Sequence, residues 1–167
     1  AKQLINGDWS VISGQFFEEL SDKHFVDLHI PNGTKIERWI DWGYSNNGIC
    51  IWAAILSSGH IHEFHEYPFK KTLPSNVAKE ITKETVNLLK MYPGMRIGKS
   101  VGDPAMWGTD SGTGESIART FQKNGVSLVE GDNQRVLGWS RVREWLAIAP
   151  DGIPWLTTSP RCRYIHR

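Results

Sequence analysis

The stretch "RWIDWGYSNNGICIWAAIL", residues 38–56, decides the fold. It reads as a strand, a Tyr-Ser-Asn-Asn-Gly linker and a second strand, because short apolar and β-branched runs bounded by turn formers signal paired strands. The first strand carries Asp41 at its inner end. A carboxylate in an apolar setting costs free energy unless a proton, a partner or a metal compensates. Working outwards, the strand begins at "KIERWIDWG", and "HIHEFHEYPF" follows Ser57-Ser58-Gly59, so three strands form an antiparallel meander. The period then lengthens. "SNVAKEITKETVNLLKMY" places Val77, Ile81, Leu88 and Leu89 near helical spacing, between Pro74-Ser75 and Pro93-Gly94. "MRIGKSVGD" is a fourth strand ending at Asp103. "ESIARTFQKNG" is a second helix, with Ile117 and Phe121 on one face, Ser116 or Thr113 as its cap and Gly125 as its stop. "VSLVEG" is a fifth strand, and "RVLGWSRVREWLAI" is a helix with Val136, Trp139, Val142 and Leu146 on one face. The last piece, "IPWLTTSPRCRYIHR", gives a short strand and the first turn of another helix.

The expected order is β-β-β-α-β-α-β-α, an α/β fold with a mixed five-stranded sheet and helices on both faces. Helical connections between strands three, four and five predict parallel, right-handed crossovers. If the fourth strand pairs beside the first, Asp41 and Asp103 leave the same end of neighbouring strands, about 5 Å apart. Carboxylates that close raise one another's pKa, and the usual compensator is a hard divalent cation. Two such ions, roughly 3.5–4 Å apart, clamp a phosphodiester for hydrolysis. Gly43 and Gly102 are expected to leave room beside each acid for a backbone or a phosphate. The same residues also suit ordinary turns, Asp41 as a cap after its strand and Asp103 as the start of an Asp-Pro turn.

Composition sets the outer limits. A chain of 167 residues, 40% of them hydrophobic, suits one well-cored domain. Residues 1–34, interrupted by Gly7, Gly14, Pro31 and Gly33, read as an extended lead-in or linker. Trp9, Phe16, Phe17 and Phe25 are expected to pin it onto the domain at residues 35–167. Nineteen Lys and Arg against 18 Asp and Glu leave a net charge of +1, so any nucleic-acid surface must come from local clustering. Cys50 and Cys162 lack a C-x-x-C spacing, which points to a reduced, intracellular protein without a disulfide framework. No apolar run approaches the roughly 20 residues that span a bilayer, and the N-terminus has no signal-like apolar region, so no membrane partner is expected.

The strings "IDWGYSNN", "GDPAMW", "SIARTFQKNGVSLVEGDNQRVLGWSRVREWL" and "CRYI" resemble the C-terminal nuclease domain of the tailed-bacteriophage terminase large subunit, and "LINGDWSVISGQFF" resembles the segment joining that family's ATPase and nuclease domains. The resemblance covers nearly the whole chain. It implies a ribonuclease H-like fold, with Asp41 and Asp103 as catalytic metal ligands for Mg²⁺ or Mn²⁺, two ions in a complete site. It implies an endonuclease that cuts concatemeric viral DNA during genome packaging in the cytoplasm of a bacterial host. The implied partners are double-stranded DNA, an ATPase domain, the portal and the small terminase subunit. In the family a third acid lies on a helix beyond the "CRYI"-like region, whereas this chain reaches Arg167 before any such string, as a truncated domain would. Asp151, the acid beyond the third helix, reads as a turn residue in "PDG". A competing reading is therefore a catalytically silent fragment that binds DNA or docks onto another motor component. A resolvase-type ribonuclease H-like enzyme fits "DNQRVLGW" and the lead-in less well.

Other constellations have ordinary readings beside the functional ones. Alternation in "HIHEF" suits a solvated edge strand, although His60, His62 and His65 could hold zinc, and Glu66 could be an acid supporting the site. Lys99, Arg119, Lys123, Arg135, Arg141, Arg143, Arg161, Arg163 and Arg167 could meet phosphates. Among them Lys99, Arg135, Arg141 and Arg143 are the DNA-binding candidates. Arg135 is the best placed, at the same sheet end as the acids, and Arg141 and Arg143 cannot share a helix face. Trp39, Trp52, Trp139 and Trp145 are expected in the core. Trp107 opens a Gly-rich loop, with Asp110 as a spare acid, that could close over DNA. Gly98-Lys99-Ser100 fails both the spacing and the strand-loop-helix context of a P-loop.

Overall fold

A computed structural model of the chain describes residues 17–109, 112 and 114–165, the side chain of Arg135 lying outside the description. The hairpin forms as expected: β1 (Lys35–Asp41) pairs antiparallel with β2 (Gly48–Ile55), which pairs antiparallel with β3 (Ile61–Phe69). The period of two along β1 sorts its side chains. Ile36, Arg38 and Ile40 lie opposite Ala54, Trp52 and Cys50, and all six are buried. Lys35, Glu37, Trp39 and Asp41 alternate with them and keep contact with solvent.

Helix α1 (Pro74–Met91) buries Val77, Ala78, Ile81, Thr85 and Leu88 along one stripe. It starts with Pro74 in its first turn, where the missing N–H costs nothing. The chain returns as β4 (Arg96–Gly102), parallel to β1. Ser116 caps α2 (Ile117–Lys123) by accepting the Arg119 N–H at 3.2 Å, and Ala118 and Phe121 join the core. The short β5 (Val129–Glu130) pairs parallel with β4, α3 spans Arg135–Leu146, and β6 (Leu156–Thr158) pairs parallel with β3. Among the described residues the sheet is six-stranded, in the order β5-β4-β1-β2-β3-β6.

The short strand expected in "IPWLTTSPRCRYIHR" joins the sheet as its sixth, one more than the five-stranded sheet expected, and it corrects the reading of the histidines. Because β6 covers β3, His60 and His62 are buried rather than on a solvated edge. The His62 ring bonds the Thr157 hydroxyl through Nδ1 at 2.9 Å, and its Nε2 accepts the Leu28 N–H at 3.4 Å. The outer side of β6 is met in turn by the lead-in, through an isolated parallel bridge between Phe25 and Thr158. His24 Nε2 bonds the Leu146 carbonyl at 2.9 Å, and Asp27 accepts the Ser159 hydroxyl at 2.6 Å. Trp9 and Phe16 lie outside the described residues.

Helix α3 departs further. Val136 is 76% exposed, and Trp139 and Trp145 are also exposed, contrary to the expected core face. Val136, Trp139, Val142 and Leu146 do share one face, but Leu137 and Trp145 lie off it, and burial along that face rises only towards the helix end, from exposed Val136 and Trp139 through half-buried Val142. Leu146 at its end is buried.

Beneath the sheet, Arg38 is buried with hydroxyl partners. Its Nε donates to Ser100 Oγ at 2.9 Å and its Nη1 to Thr85 Oγ1 at 3.3 Å. Thr85 Oγ1 also accepts the Trp52 indole N–H at 3.0 Å and donates to the Ile81 carbonyl at 2.7 Å. One hydroxyl thus ties α1 to β1 and β2, and Arg38 carries the tie to β4. Burial pulls the Arg38 guanidinium below its ordinary pKa.

Candidate active site

Asp41 closes β1, and Asp103 follows β4 directly. The parallel pairing runs Trp39 to Val101 and Ile40 to Gly102, and the Asp103 N–H donates to the Ile40 carbonyl at 3.0 Å, locking the two ends together. Asp103 also starts a 3₁₀ turn, Pro104–Trp107, by accepting the Ala105 N–H through Oδ1 at 2.7 Å. The turn role expected of Asp103 is present, and it does not use up the carboxylate: capping fixes its direction through Oδ1 and leaves the second oxygen outside the cap. Asp41 meets solvent at its tip, yet desolvation by the surrounding protein is the main cause pushing its carboxyl above the usual range. The negative charge of Asp103 and a hydrogen bond between the two carboxyls push it further in the same direction.

The pair stands at the rim of a cleft of about 340 Å³, floored by Trp39, Ile49, Ile51 and Val101. The far wall is the loop after β5, with Gly131, Asp132 and Asn133, drawn in by the Gly131 N–H donating to the Gly102 carbonyl at 2.9 Å. Asp132 was absent from the expected set. Its signal is a repeated Gly-Asp pair: Gly102-Asp103 stands at the end of β4 as Gly131-Asp132 stands just past β5, so three adjacent parallel strands each release an aspartate at one sheet end. Asp132 lines the cleft without joining a metal cluster, since among the described residues no group of three or more His, Cys, Asp or Glu is arranged to hold a metal. Its Oδ1 accepts the Gln134 N–H at 3.0 Å.

The two glycines serve closure rather than access. A Cβ on Gly43 would sit 2.7 Å from the Asn47 carbonyl oxygen, and one on Gly102 would sit 2.9 Å from Met106 Sδ and 3.2 Å from Leu128. The space expected for a phosphate is filled by the chain itself.

Other expected residues scatter. Lys99 is exposed where β4 slips register against β1, outside the cleft lining. Arg141 is exposed on α3, and Arg143 pairs with Glu19 at 3.6 Å. The Arg135 side chain and Asp110 lie outside the described residues. Glu66 is not beside the acids: it accepts the Tyr164 and Ile165 N–H groups at 2.6 and 3.1 Å, anchoring the last turn. Trp107 belongs to the 3₁₀ turn and packs on the core instead of opening a lid. Gly98-Lys99-Ser100 lies within β4.

No protein-family model matches the chain, and no curated protein matches it. Solved structures do. The large terminase of a thermophilic bacteriophage superposes with a TM-score of 0.67 at 14% identity, over 90% of this chain and 34% of that one. The nuclease domain of the P22 large terminase gives 0.59 at 13% identity, over 92% and 76%. The large terminase nuclease of the thermophilic phage G20c, a structure with bound zinc, gives 0.54 at 12% identity, over 90% and 84%. The fold is that of a phage large-terminase nuclease domain. It is ribonuclease H-like, and the chain spans about a third of the length of the full large terminase it matches, 34%. The expected architecture stands with one strand added.

The donor set fits a hard divalent cation. Two carboxylates that repel one another at adjacent strand ends, one of them held by a backbone N–H, form a fixed excess of negative charge at the mouth of a cleft.

Proposed function

We propose that this chain is a divalent-metal-dependent DNA endonuclease domain of the terminase large-subunit type, cutting concatemeric viral DNA during genome packaging in a bacterial host. The observation that carries the proposal is the Asp41–Asp103 pair at the ends of neighbouring parallel strands, on a fold shared with terminase nucleases. Asp41 and Asp103 would hold Mg²⁺ or Mn²⁺, two ions in a complete site. When bound, such ions supply charge neutralisation of the phosphate and a nucleophilic water at neutral pH. The chain's own part is positional. Ala105 fixes Asp103 by its N–H, the Ile40 carbonyl fixes the strand ends, and the apolar floor lies beside the carboxylates in the same cleft. Double-stranded DNA is the proposed substrate, with Lys99, Arg135, Arg141 and Arg143 as phosphate contacts that need not line the cleft. An ATPase domain, the portal and the small terminase subunit are the proposed partners.

The test is plasmid nicking in Mn²⁺. Asp41→Asn and Asp103→Asn should each abolish it while leaving the melting temperature close to that of the parent chain; undiminished nicking by Asp41→Asn refutes the assignment. A second reading, a silent DNA-binding or docking fragment, is favoured by one observation: no third acid converges on the pair among the described residues. Calorimetry separates the two, since a silent fragment takes up no Mg²⁺ or Mn²⁺ at millimolar concentration.

A further inference from the structure

The floor of the cleft is more apolar than contact with a phosphate backbone requires. Trp39, Ile49, Ile51 and Val101 form it, and Trp39 stands outside the buried core cluster, partly open to solvent. Trp39 and Asp41 are two residues apart on one strand face, about 7 Å along the strand. That span is comparable with the reach from a nucleotide's phosphate to its base. The cleft, about 340 Å³, lies at the small end of the roughly 300–1,000 Å³ of small-ligand sites, enough for one nucleotide. Within an intact duplex the flat faces of the bases are hidden in the stack, so an indole and three aliphatic side chains would find only sugar and phosphate. A nucleotide out of the stack offers what this floor can bind, a π-face for the Trp39 ring.

We propose that the cleft takes an unpaired nucleotide of its DNA substrate, its phosphate at the Asp41–Asp103 pair and its base stacked on Trp39. The proposal rests on the acid-pair reading above and adds a substrate preference: a strand with an unstacked nucleotide over a continuous duplex. Asn133, on the opposite wall, stands within the same cleft to meet the base edge.

The experiment uses the full chain and two phosphorothioate-protected duplexes, identical except that one carries a single unpaired 2-aminopurine. Titration in Mg²⁺ should show tighter binding of the bulged duplex with quenching of its emission. Trp39→Leu, which keeps an apolar side chain but no ring, should weaken that binding about 5- to 150-fold, as expected for loss of one base–aromatic stack, with little change on the continuous duplex. Trp39→Phe should retain most of the preference. Equal binding of the two duplexes by the parent chain overturns the proposal, and so does a Leu variant that matches the Phe variant, because packing alone would then account for Trp39. The Asp41→Asn variant separates this from the acid-pair reading: Mg²⁺-dependent binding that persists there refutes the metal assignment, while the preference for the bulge still reports on Trp39.

Discussion

Thr85→Val should test the frame that holds the two acids in register. The substitution keeps shape and removes one hydroxyl, which accepts from Trp52 Nε1 at 3.0 Å and Arg38 Nη1 at 3.3 Å and donates to the Ile81 carbonyl at 2.7 Å. Thr85 is 5% exposed, Arg38 7% and Trp52 0%, so water cannot easily replace the lost acceptor. An orphaned neutral donor costs about 1–3 kcal/mol, and a hydrogen bond to a charged group is worth about 1.5–3 kcal/mol. Offsetting about 1 kcal/mol for the added apolar surface leaves a loss of about 3 kcal/mol. At about 2–4 °C per kcal/mol for a chain of this size, the midpoint should fall by about 6–12 °C. Thr85→Ser, which keeps the hydroxyl and loses one methyl, should cost about 1 kcal/mol. Urea unfolding with an unchanged slope measures both. In an Arg38→Met background the Val substitution should cost less, since one of the two orphans is gone, and a double-mutant cycle reads that coupling. A Val variant within about 1 kcal/mol of the parent, or equal to the Ser variant, refutes the hub.

Two further outcomes follow from packing and charge. Gly102→Ala drives a methyl to 2.9 Å from Met106 Sδ inside a full core, so it should destabilise by about 1–3 kcal/mol and reduce nicking by displacing Asp103, measured by urea unfolding beside the nicking assay. Glu63 is buried, and its carboxyl is held above the ordinary range mainly by desolvation, with the Thr158 hydroxyl, 2.6 Å away, opposing and the charge of Glu66 adding. A raised folded pKa means that the folded state binds the extra proton, so stability should fall as pH rises from about 4.5 through that raised value. Glu63→Gln, whose amide oxygen can still accept from Thr158, should flatten that fall, and the difference between the two stability–pH curves isolates it from the other titrating groups.

The parts legible in the sequence are those set by local pattern. The alternation Ile36, Arg38, Ile40 and the turn residues after Asp41 are enough for the first hairpin, and the helical spacing of Val77, Ile81 and Leu88 is enough for α1 and hence for the crossover that brings β4 beside β1. Asp41 and Asp103 came together for that reason. What could not be read depends on distant partners. A short strand was legible in the last piece, but not its partner: Leu156–Thr158, by pairing with β3, converts an apparent edge into an interior and buries His60 and His62. Arg38 sits on the core side of an alternating strand, and only Thr85 and Ser100, 47 and 62 residues away, make that tolerable.

The same contrast explains why the site is built as it is. Arg38 lies three residues before Asp41 and Ser100 three before Asp103, so their hydrogen bond at 2.9 Å clamps β1 to β4 on the buried face directly behind the strand ends. Like-charged carboxylates at adjacent termini tend to push those termini apart, and the charge of Asp103 adds to desolvation in raising the Asp41 carboxyl above its ordinary pKa. A cation can relieve that repulsion only when bound. The buried clamp, the Asp103–Ile40 backbone bond and the Ala105 cap resist it at all times, holding the two strand ends together with their carboxylates at the mouth of the cleft.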